Sequence, residues 1–286
     1  MKRDSTAAPP YPGTQAVLRA VAVLKAFTDA HPTRTVAELS RALGLHKTTV
    51  FRLLAALEGE GMVARADAAG AYRLGPETVV LGATALRAND LRSVARGELA
   101  ALSELSGETT TLEVLVGNEV LILDEVLSRY LLRGTPAVGW RGPAHATSTG
   151  KVLLAAARHE GDGALARKGV ARRRLARLTP KTITSAAQLD RELDDVWRRG
   201  YATAVEELEA GWIAVGAGVR DHDGRVAAAL SVGGPSSRIP AARITELTAM
   251  VCRSAARVSH QLGYRPTPAA AAAPSSSHVP HSGAHA

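Results

Sequence analysis

The chain has 286 residues, 46% hydrophobic and 22% charged, which is typical of a globular protein with room for two domains. Its formal net charge of +8 suits a polyanionic partner such as nucleic acid, without establishing one. The single cysteine, Cys252, excludes an intrachain disulfide and a cysteine-cluster metal site. No apolar run approaches the roughly 18 residues that span a bilayer, so we expect a cytoplasmic protein without membrane contact.

Residues 15–30 predict a first helix, after residues 1–13, which we expect to be disordered. Apolar residues recur in this segment at the spacing of one helical face, and that face is predicted to close a small core. Its members are Val17, Ala20, Val21, Leu24 and Phe27.

Residues 35–58 predict two short helices joined by a tight turn. Thr35 and Glu38 have the spacing of a capping box at the start of the first helix, and Gly44 tolerates the left-handed conformation that ends it. The second helix carries an apolar stripe at i, i+3, i+4 and i+7. The pattern is that of a helix-turn-helix, whose second helix enters the major groove of DNA.

The other face of the second helix carries candidate DNA contacts. No acidic residue stands between Gly44 and Glu58. Lysine, threonine and arginine side chains can reach phosphates, base edges and thymine methyls. The alternative is an ordinary helical hairpin with a solvated basic face, because short helix-turn-helix patterns have false positives. The candidates are His46, Lys47, Thr48, Thr49 and Arg52.

Two strand-like runs after this helix favour the DNA-binding interpretation. Residues 60–65 and 71–75 flank a turn, which is the pattern of a hairpin. A hairpin directly after a recognition helix is typical of a winged helix-turn-helix, in which Arg65 and Arg73 would lie near the DNA backbone. Residues 14–75 are therefore predicted to form a winged helix-turn-helix DNA-binding domain.

The rest of the chain mixes helices with antiparallel strands, which indicates an α+β domain over residues 91–262. A linker helix is predicted over residues 76–90, because Pro76 suits a first helical turn. The tail, residues 263–286, is rich in Ala, Pro, Ser and His and is predicted to be disordered. Helices are predicted at 91–106, 150–158, 188–199 and 240–262, strands at 109–116, 119–126, 128–133, 212–220 and 225–232, and hairpin turns at 117–118 and 221–224.

These segments together resemble the IclR-type bacterial transcriptional regulators over residues 14–262. The resemblance implies a winged helix-turn-helix, a linker helix and a C-terminal GAF-like effector-binding domain. It also implies a homodimer or dimer of dimers on double-stranded operator DNA, with a small-molecule effector that changes the DNA affinity. We expect no cofactor. The matching pieces are LRAVAVL (18–24), the segment 39–58, YRLGP (72–76), GET (107–109), HATSTGKVLLA (145–155), GYA (200–202), EE (206–207) and AALSV (228–232).

The resemblance also implies where the effector binds. Ser148 and Thr149 would lie at a helix N-terminus, where free N–H groups and the helix dipole favour an anion. We therefore expect an effector with a carboxylate and an apolar or aromatic body. The alternative for Trp212 is an ordinary core position. The implied pocket residues are Ser148, Thr149, Trp212, Ala214, Ser231 and Gly233.

The sequence holds no catalytic constellation, so we expect a regulator and not an enzyme. The Gly150-Lys151 pair lacks both the first glycine and the hydroxyl residue of a phosphate loop. The adjacent acids Glu206 and Glu207 would point to opposite sides of a strand and are expected to be structural or at the surface. The function we expect is that of a repressor on a near-palindromic operator. The alternative is a small-molecule sensory or processing domain whose helix-turn-helix mediates protein contacts.

Overall fold

The computed structural model describes residues 14–66, 70–87, 90–130, 137–161 and 175–265, in two compact units, Met1–Asn89 and Asp90–Ala286. Several predictions lie outside the described residues. They concern the N-terminal segment 1–13, the wing turn at 67–69, part of the proposed strand (131–133), most of the basic run between Arg167 and Arg177, and the tail from 266 onward. Among the helices that are described, none has the length and apolarity that crossing a membrane requires.

The first unit combines helices with a three-stranded antiparallel sheet of order β1-β3-β2. Strand β1 was not predicted, because its three residues show no apolar alternation; it pairs with β3 through Thr33 and Arg73. The elements are α1 (Gln15–Lys25), β1 (Thr33–Thr35), α2 (Val36–Leu43), α3 (Lys47–Gly59), β2 (Val63–Arg65), β3 (Ala71–Leu74) and α4 (Pro76–Arg87).

The predicted start and end of α2 are confirmed. Thr35 Oγ1 accepts a hydrogen bond from the Glu38 N–H at 3.3 Å, and Glu38 Oε2 accepts one from the Thr35 N–H at 2.7 Å. Gly44, after the helix, has φ 66°. Local chemistry therefore fixes the first helix of the helix-turn-helix, because each contact joins residues within one or two turns.

The core of the first unit includes Val23 and Phe27 from the α1 side, together with side chains of α2, α3 and the sheet. The prediction that Val17 and Val21 are core residues is wrong, since they are 64% and 41% exposed. They lie on a neighbouring stripe of α1, because the α2–α3 pair covers only the stripe that contains Val23. Sequence spacing alone does not separate two adjacent apolar stripes.

The second unit contains one antiparallel six-stranded sheet of order β6-β5-β4-β9-β8-β7. Both predicted hairpins, β4–β5 and β8–β9, are confirmed. The elements are α5 (Asp90–Ser106), β4 (Thr109–Val116), β5 (Glu119–Val126), β6 (Arg141–Pro143), α6 (Ser148–Glu160), α7 (Ala186–Arg199), β7 (Tyr201–Val205), β8 (Trp212–Arg220), β9 (Val226–Pro235) and α8 (Ala241–Gln261).

Two features of this sheet differ from the prediction. Strands β6 and β7 were not predicted, and both lie at edges of the sheet. Residues 128–130 form no strand. There the Ser128 hydroxyl donates to the Gly107 carbonyl at 2.7 Å, and the Ser128 N–H donates to Thr109 Oγ1 at 3.1 Å. These bonds tie the segment to the α5–β4 corner instead of to a sheet edge.

The sheet separates two helical layers, α5 with α8 on one face and α6 with α7 on the other. Leu112, Val215 and Leu230 of the central strands point into the α5–α8 core. Residues of the opposite parity in the same strands face the α6 side. Many of those residues are small or polar, and this is where the cavity described below lies.

Candidate DNA-reading surface and effector cavity

Helix α3 and its N-cap residue present four of the five candidate DNA contacts as exposed side chains, namely His46, Lys47, Thr48 and Arg52. Thr49 is only half-exposed. The opposite side of the helix is anchored in the core by Val50 and Leu54, both 0% exposed. This arrangement separates a buried face from a polar face on one helix, as a groove-reading helix requires.

Phe51 is a residue of this face that sequence reasoning missed. Its side chain is 53% exposed and follows Lys47 by one helical turn. Apolar side chains in a major groove contact thymine methyl groups. The signal was available in the sequence, because a phenylalanine at this position falls outside the predicted apolar stripe.

The two wing arginines have different surroundings. Arg65 is 60% exposed in its side chain, forms an ion pair with Glu58 at 3.1 Å and lies 5.1 Å above the Tyr72 ring. Arg73 is exposed on β3, opposite Ala64 of β2. Arg65 is therefore held against its own domain at the end of α3, while Arg73 projects from the wing.

A cavity of about 180 Å³ lies in the second unit, on the α6 side of the sheet. Every second residue along parts of β4, β9 and β8 lines this cavity. Thr111 is opposite Ser231, and Gly233 is opposite both Thr109 and Ala214. An apolar cavity of about 150 Å³ can take up benzene. The space is therefore suited to a molecule of about one substituted ring.

The N-terminus of α6 closes on this part of the sheet because Gly216 of β8 has no side chain. A Cβ atom at Gly216 would lie 2.9 Å from the Thr149 backbone nitrogen and 3.1 Å from Ser148 Oγ. The turn into the helix is fixed by Thr147, whose Oγ1 accepts a hydrogen bond from the Gly150 N–H at 3.1 Å. Ser148 and Thr149 are thus held beside the strands.

Glu113 of β4 lines the cavity and is 6% exposed. Thr111 Oγ1 donates to its Oε1 and Thr149 Oγ1 to its Oε2, each at 2.6 Å. The Thr111 and Ser231 hydroxyls are 2.7 Å apart. Burial raises the pKa of the Glu113 carboxyl, and the two hydroxyl hydrogen bonds offset this only in part.

All six residues implied by the resemblance line this one cavity. Sequence reasoning missed Glu113 and Trp140, which line it too. Glu113 was identifiable in principle, because it continues the every-second-residue pattern of Thr109 and Thr111 along β4. Trp140 had no comparable signal, since β6, which follows it, was not predicted.

The paired acids Glu206 and Glu207 have structural surroundings. Glu207 accepts a hydrogen bond from the buried Lys151 Nζ at 2.7 Å, and Glu206 pairs with Lys181 Nζ at 2.5 Å. Glu206 has φ 56°, a conformation uncommon for residues other than glycine. The Thr182 hydroxyl also donates to the Glu207 carbonyl at 2.6 Å. These contacts fix the start of the 206–211 segment, whose residues Leu208 and Glu209 line the cavity.

Other chemically reactive groups of the described chain lie elsewhere. Burial raises the pKa of the Cys252 thiol on α8, as suits an unreactive, half-buried cysteine packed against the core. Among the described residues, Asp221, His222 and Asp223 alone bring three potential metal-ligand atoms within 4.8 Å of one another. They lie in the β8–β9 turn, where exposed acidic groups are common without a metal.

Two family descriptions match the chain in succession. The IclR helix-turn-helix domain matches residues 16–67, and the bacterial transcriptional regulator IclR C-terminal domain matches residues 83–260. The chain belongs to the IclR family. It is a DNA-binding transcriptional regulator and not an enzyme, in agreement with the sequence expectation.

Curated IclR-family relatives match almost the whole chain. The acetate operon repressor of Salmonella typhimurium strain LT2 is 31% identical over 265 residues, 92% of this chain and 95% of the relative. The transcriptional regulator KdgR of Escherichia coli K12 is 33% identical over 252 residues, 88% of this chain and 94% of the relative. The similarity therefore includes both the helix-turn-helix domain of the first unit and the second unit.

Solved structures of IclR proteins share the fold. The regulator from Alicyclobacillus acidocaldarius has a TM-score of 0.76 at 29% identity, over 87% of this chain and 98% of its own. An IclR homologue from Microbacterium hydrocarbonoxydans, complexed with 4-hydroxybenzoate, has a TM-score of 0.73 at 29% identity, over 86% and 98%. The predicted α+β class with an N-terminal helix-turn-helix is confirmed.

Proposed function

We propose that this IclR-family regulator is a cytoplasmic repressor that binds a near-palindromic operator as a homodimer or dimer of dimers. In this proposal a small molecule in the 180 Å³ cavity changes the operator affinity. The observation that carries the DNA part is the exposed surface of α3, where Thr48 and Arg52 lie opposite the buried Val50 and Leu54 stripe and Lys47 and Phe51 are also exposed.

Arg52→Ala tests the reading face. A base-edge contact from an arginine contributes about 1–3 kcal/mol of discrimination, so operator binding should weaken more than binding to random DNA. Lys25→Ala, which removes an exposed cation from α1, is the matched control and should change both affinities little. Equal losses on both DNAs would assign Arg52 to a phosphate contact. No loss on either DNA would exclude it from the interface.

Self-association is supported by exposed apolar side chains in the first unit. Large apolar side chains at the surface often mark protein–protein contacts. A two-fold dimer would place two α3 helices on half-sites related by symmetry. Footprinting should then show paired protections about one helical turn or a multiple apart. A monomer that protects a single half-site would contradict the proposal. The residues are Val17, Leu18 and Val21 on α1, and Val79, Val80 and Leu81 on α4.

Effector coupling is testable as a change in operator affinity. Allosteric coupling is typically about 1–3 kcal/mol, so a saturating effector should shift the affinity roughly 5- to 150-fold. The relative complexed with 4-hydroxybenzoate supports a ring-sized effector, whereas the carboxylate of that ligand would find no basic partner among the described lining residues of this cavity. A helix-turn-helix that mediates protein contacts instead, the alternative function, predicts no binding to the upstream DNA of the gene in a competition gel shift.

The carboxylate that the sequence suggested for the effector is not part of this proposal. Thr149, the hydroxyl residue expected to receive it, already donates to Glu113 Oε2 at 2.6 Å. The Thr149 hydroxyl would therefore have to exchange Glu113 for an effector carboxylate before it could donate to that ligand.

A further inference from the structure

The charged side chains that line the cavity are both acidic. Glu113 and Glu209 contribute carboxyl groups, and no lysine, arginine or histidine is among the described residues that line it. The nearby cation Lys151 is already paired with Glu207 at 2.7 Å and Glu192 at 3.6 Å. Glu209 is exposed, so an anionic ligand would meet one buried acid, Glu113, and no basic partner among the described lining residues.

Glu113 can accept more hydrogen bonds than the protein gives it. A carboxylate has about four lone-pair sites, and the Thr111 and Thr149 hydroxyls use one on each oxygen. Neither partner carries a charge. A buried carboxylate without a cation is costly, and burial accordingly raises the pKa of Glu113. A ligand group that brings positive charge and N–H donors would offset this cost and hold Glu113 in its ionised form.

The apolar residues of the cavity indicate the chemistry of the uncharged part of such a ligand. Trp140, Trp212 and Ile122 supply two aromatic side chains and one aliphatic side chain to the same cavity. Aromatic faces attract cations and also pack against rings. The volume of about 180 Å³ leaves room for one ring with a short substituent.

We propose that the cavity selects a small cationic amine, in which an ammonium group binds the Glu113 carboxylate while an apolar ring contacts Trp140 and Trp212. This inference rests on the proposed function only in treating the cavity as the effector site. It reverses the charge that the sequence predicted for the effector, because the buried acid that contacts Thr149 belongs to the protein.

Three ring-sized probes test the charge preference on the full chain. Benzylamine carries an ammonium group, benzyl alcohol is a neutral donor and benzoate carries a carboxylate. Isothermal titration calorimetry, or saturation-transfer NMR for weak binding, should rank benzylamine first, by about tenfold or more over benzoate, as a charge-assisted hydrogen bond implies. Tighter binding of benzoate than of benzylamine would overturn the proposal, and so would the absence of benzylamine binding at millimolar concentration.

Glu113→Gln tests whether Glu113 is the group that causes the preference for benzylamine. This substitution keeps the side-chain shape and removes the charge, so it should weaken benzylamine about tenfold or more and leave benzyl alcohol within about twofold. Glu246→Gln, an exposed acid on α8, is the matched control and should leave all three affinities unchanged. Unchanged benzylamine binding in Glu113→Gln would overturn the proposal. The ranking of probes on the unmodified chain stands independently if this variant does not fold.

A gel shift with operator DNA separates this inference from the proposed function. If benzylamine binds through Glu113 and leaves the operator affinity unchanged at saturation, the amine selectivity holds and benzylamine does not act as an effector. If the operator affinity responds to benzoate and not to benzylamine, the proposed regulation holds and the amine inference fails.

Discussion

Lys151→Met is expected to destabilise the second unit, because Lys151 neutralises a buried acid. Lys151 Nζ lies 2.7 Å from Glu207 Oε1, and the lysine side chain is 2% exposed. Glu207 Oε2 is buried and has no hydrogen-bond partner within the described part of the chain. Removing the ammonium group therefore leaves a largely buried carboxylate without its ion-pair partner, and the backbone hydrogen bond at Val205 offsets only part of that cost.

The expected loss is about 3–5 kcal/mol of unfolding free energy, the usual cost of removing one partner of a buried ion pair. Burial raises the pKa of Glu207 even with Lys151 in place. Without Lys151 this pKa should rise further, because the attraction that favours the charged form is gone. The loss should therefore shrink as the pH falls, since protonation of Glu207 removes the uncompensated charge. A second change, Glu207→Gln, should restore part of the stability.

Urea unfolding followed by tryptophan fluorescence is the assay, because Trp140, Trp197 and Trp212 all lie in the second unit. Lys181→Met is the matched control. Its side chain is 57% exposed and pairs with Glu206, the neighbouring acid. Exposed pairs contribute about 0–1 kcal/mol. The reasoning is refuted if both variants lose the same stability, or if the loss in Lys151→Met grows as the pH falls.

Three further substitutions probe the two sites. Glu113→Gln should become more stable relative to the unmodified chain as the pH rises. The pKa of Glu113 is raised in the folded state, so ionisation at higher pH lowers the unfolding free energy of the unmodified chain, whereas a glutamine does not ionise. Thermal unfolding at several pH values measures this difference. Phe51→Ala should leave the unfolding free energy within about 0.5 kcal/mol and weaken operator binding in a gel shift; unchanged affinity would remove this residue from the interface. Gly216→Ala should lower the unfolding free energy by about 1–3 kcal/mol, because the added Cβ displaces Ser148 and Thr149. The same displacement should abolish the binding of benzylamine measured by calorimetry. Normal benzylamine binding would show that the cavity tolerates a displaced α6 N-terminus.

The sequence determined the elements whose signals are local. The capping contacts of Thr35 and Glu38 and the left-handed Gly44 follow from neighbouring residues, so the helix-turn-helix could be predicted correctly. The two hairpins were equally predictable from their turns. The IclR resemblance added the six pocket positions, which sequence spacing alone would not have connected.

The tertiary structure decided what depends on pairing distant segments. Glu113 and Thr149 are 36 residues apart, and Thr111 and Ser231 are 120 residues apart. Only the antiparallel register of β4 with β9 and the docking of α6 bring these groups into one network. In the first unit, the packing of α1 against α2 and α3 likewise decided that Val23 is buried and Val17 exposed. The electrostatic character of the cavity therefore came from the fold, because a side chain's environment depends on neighbours that local sequence does not specify.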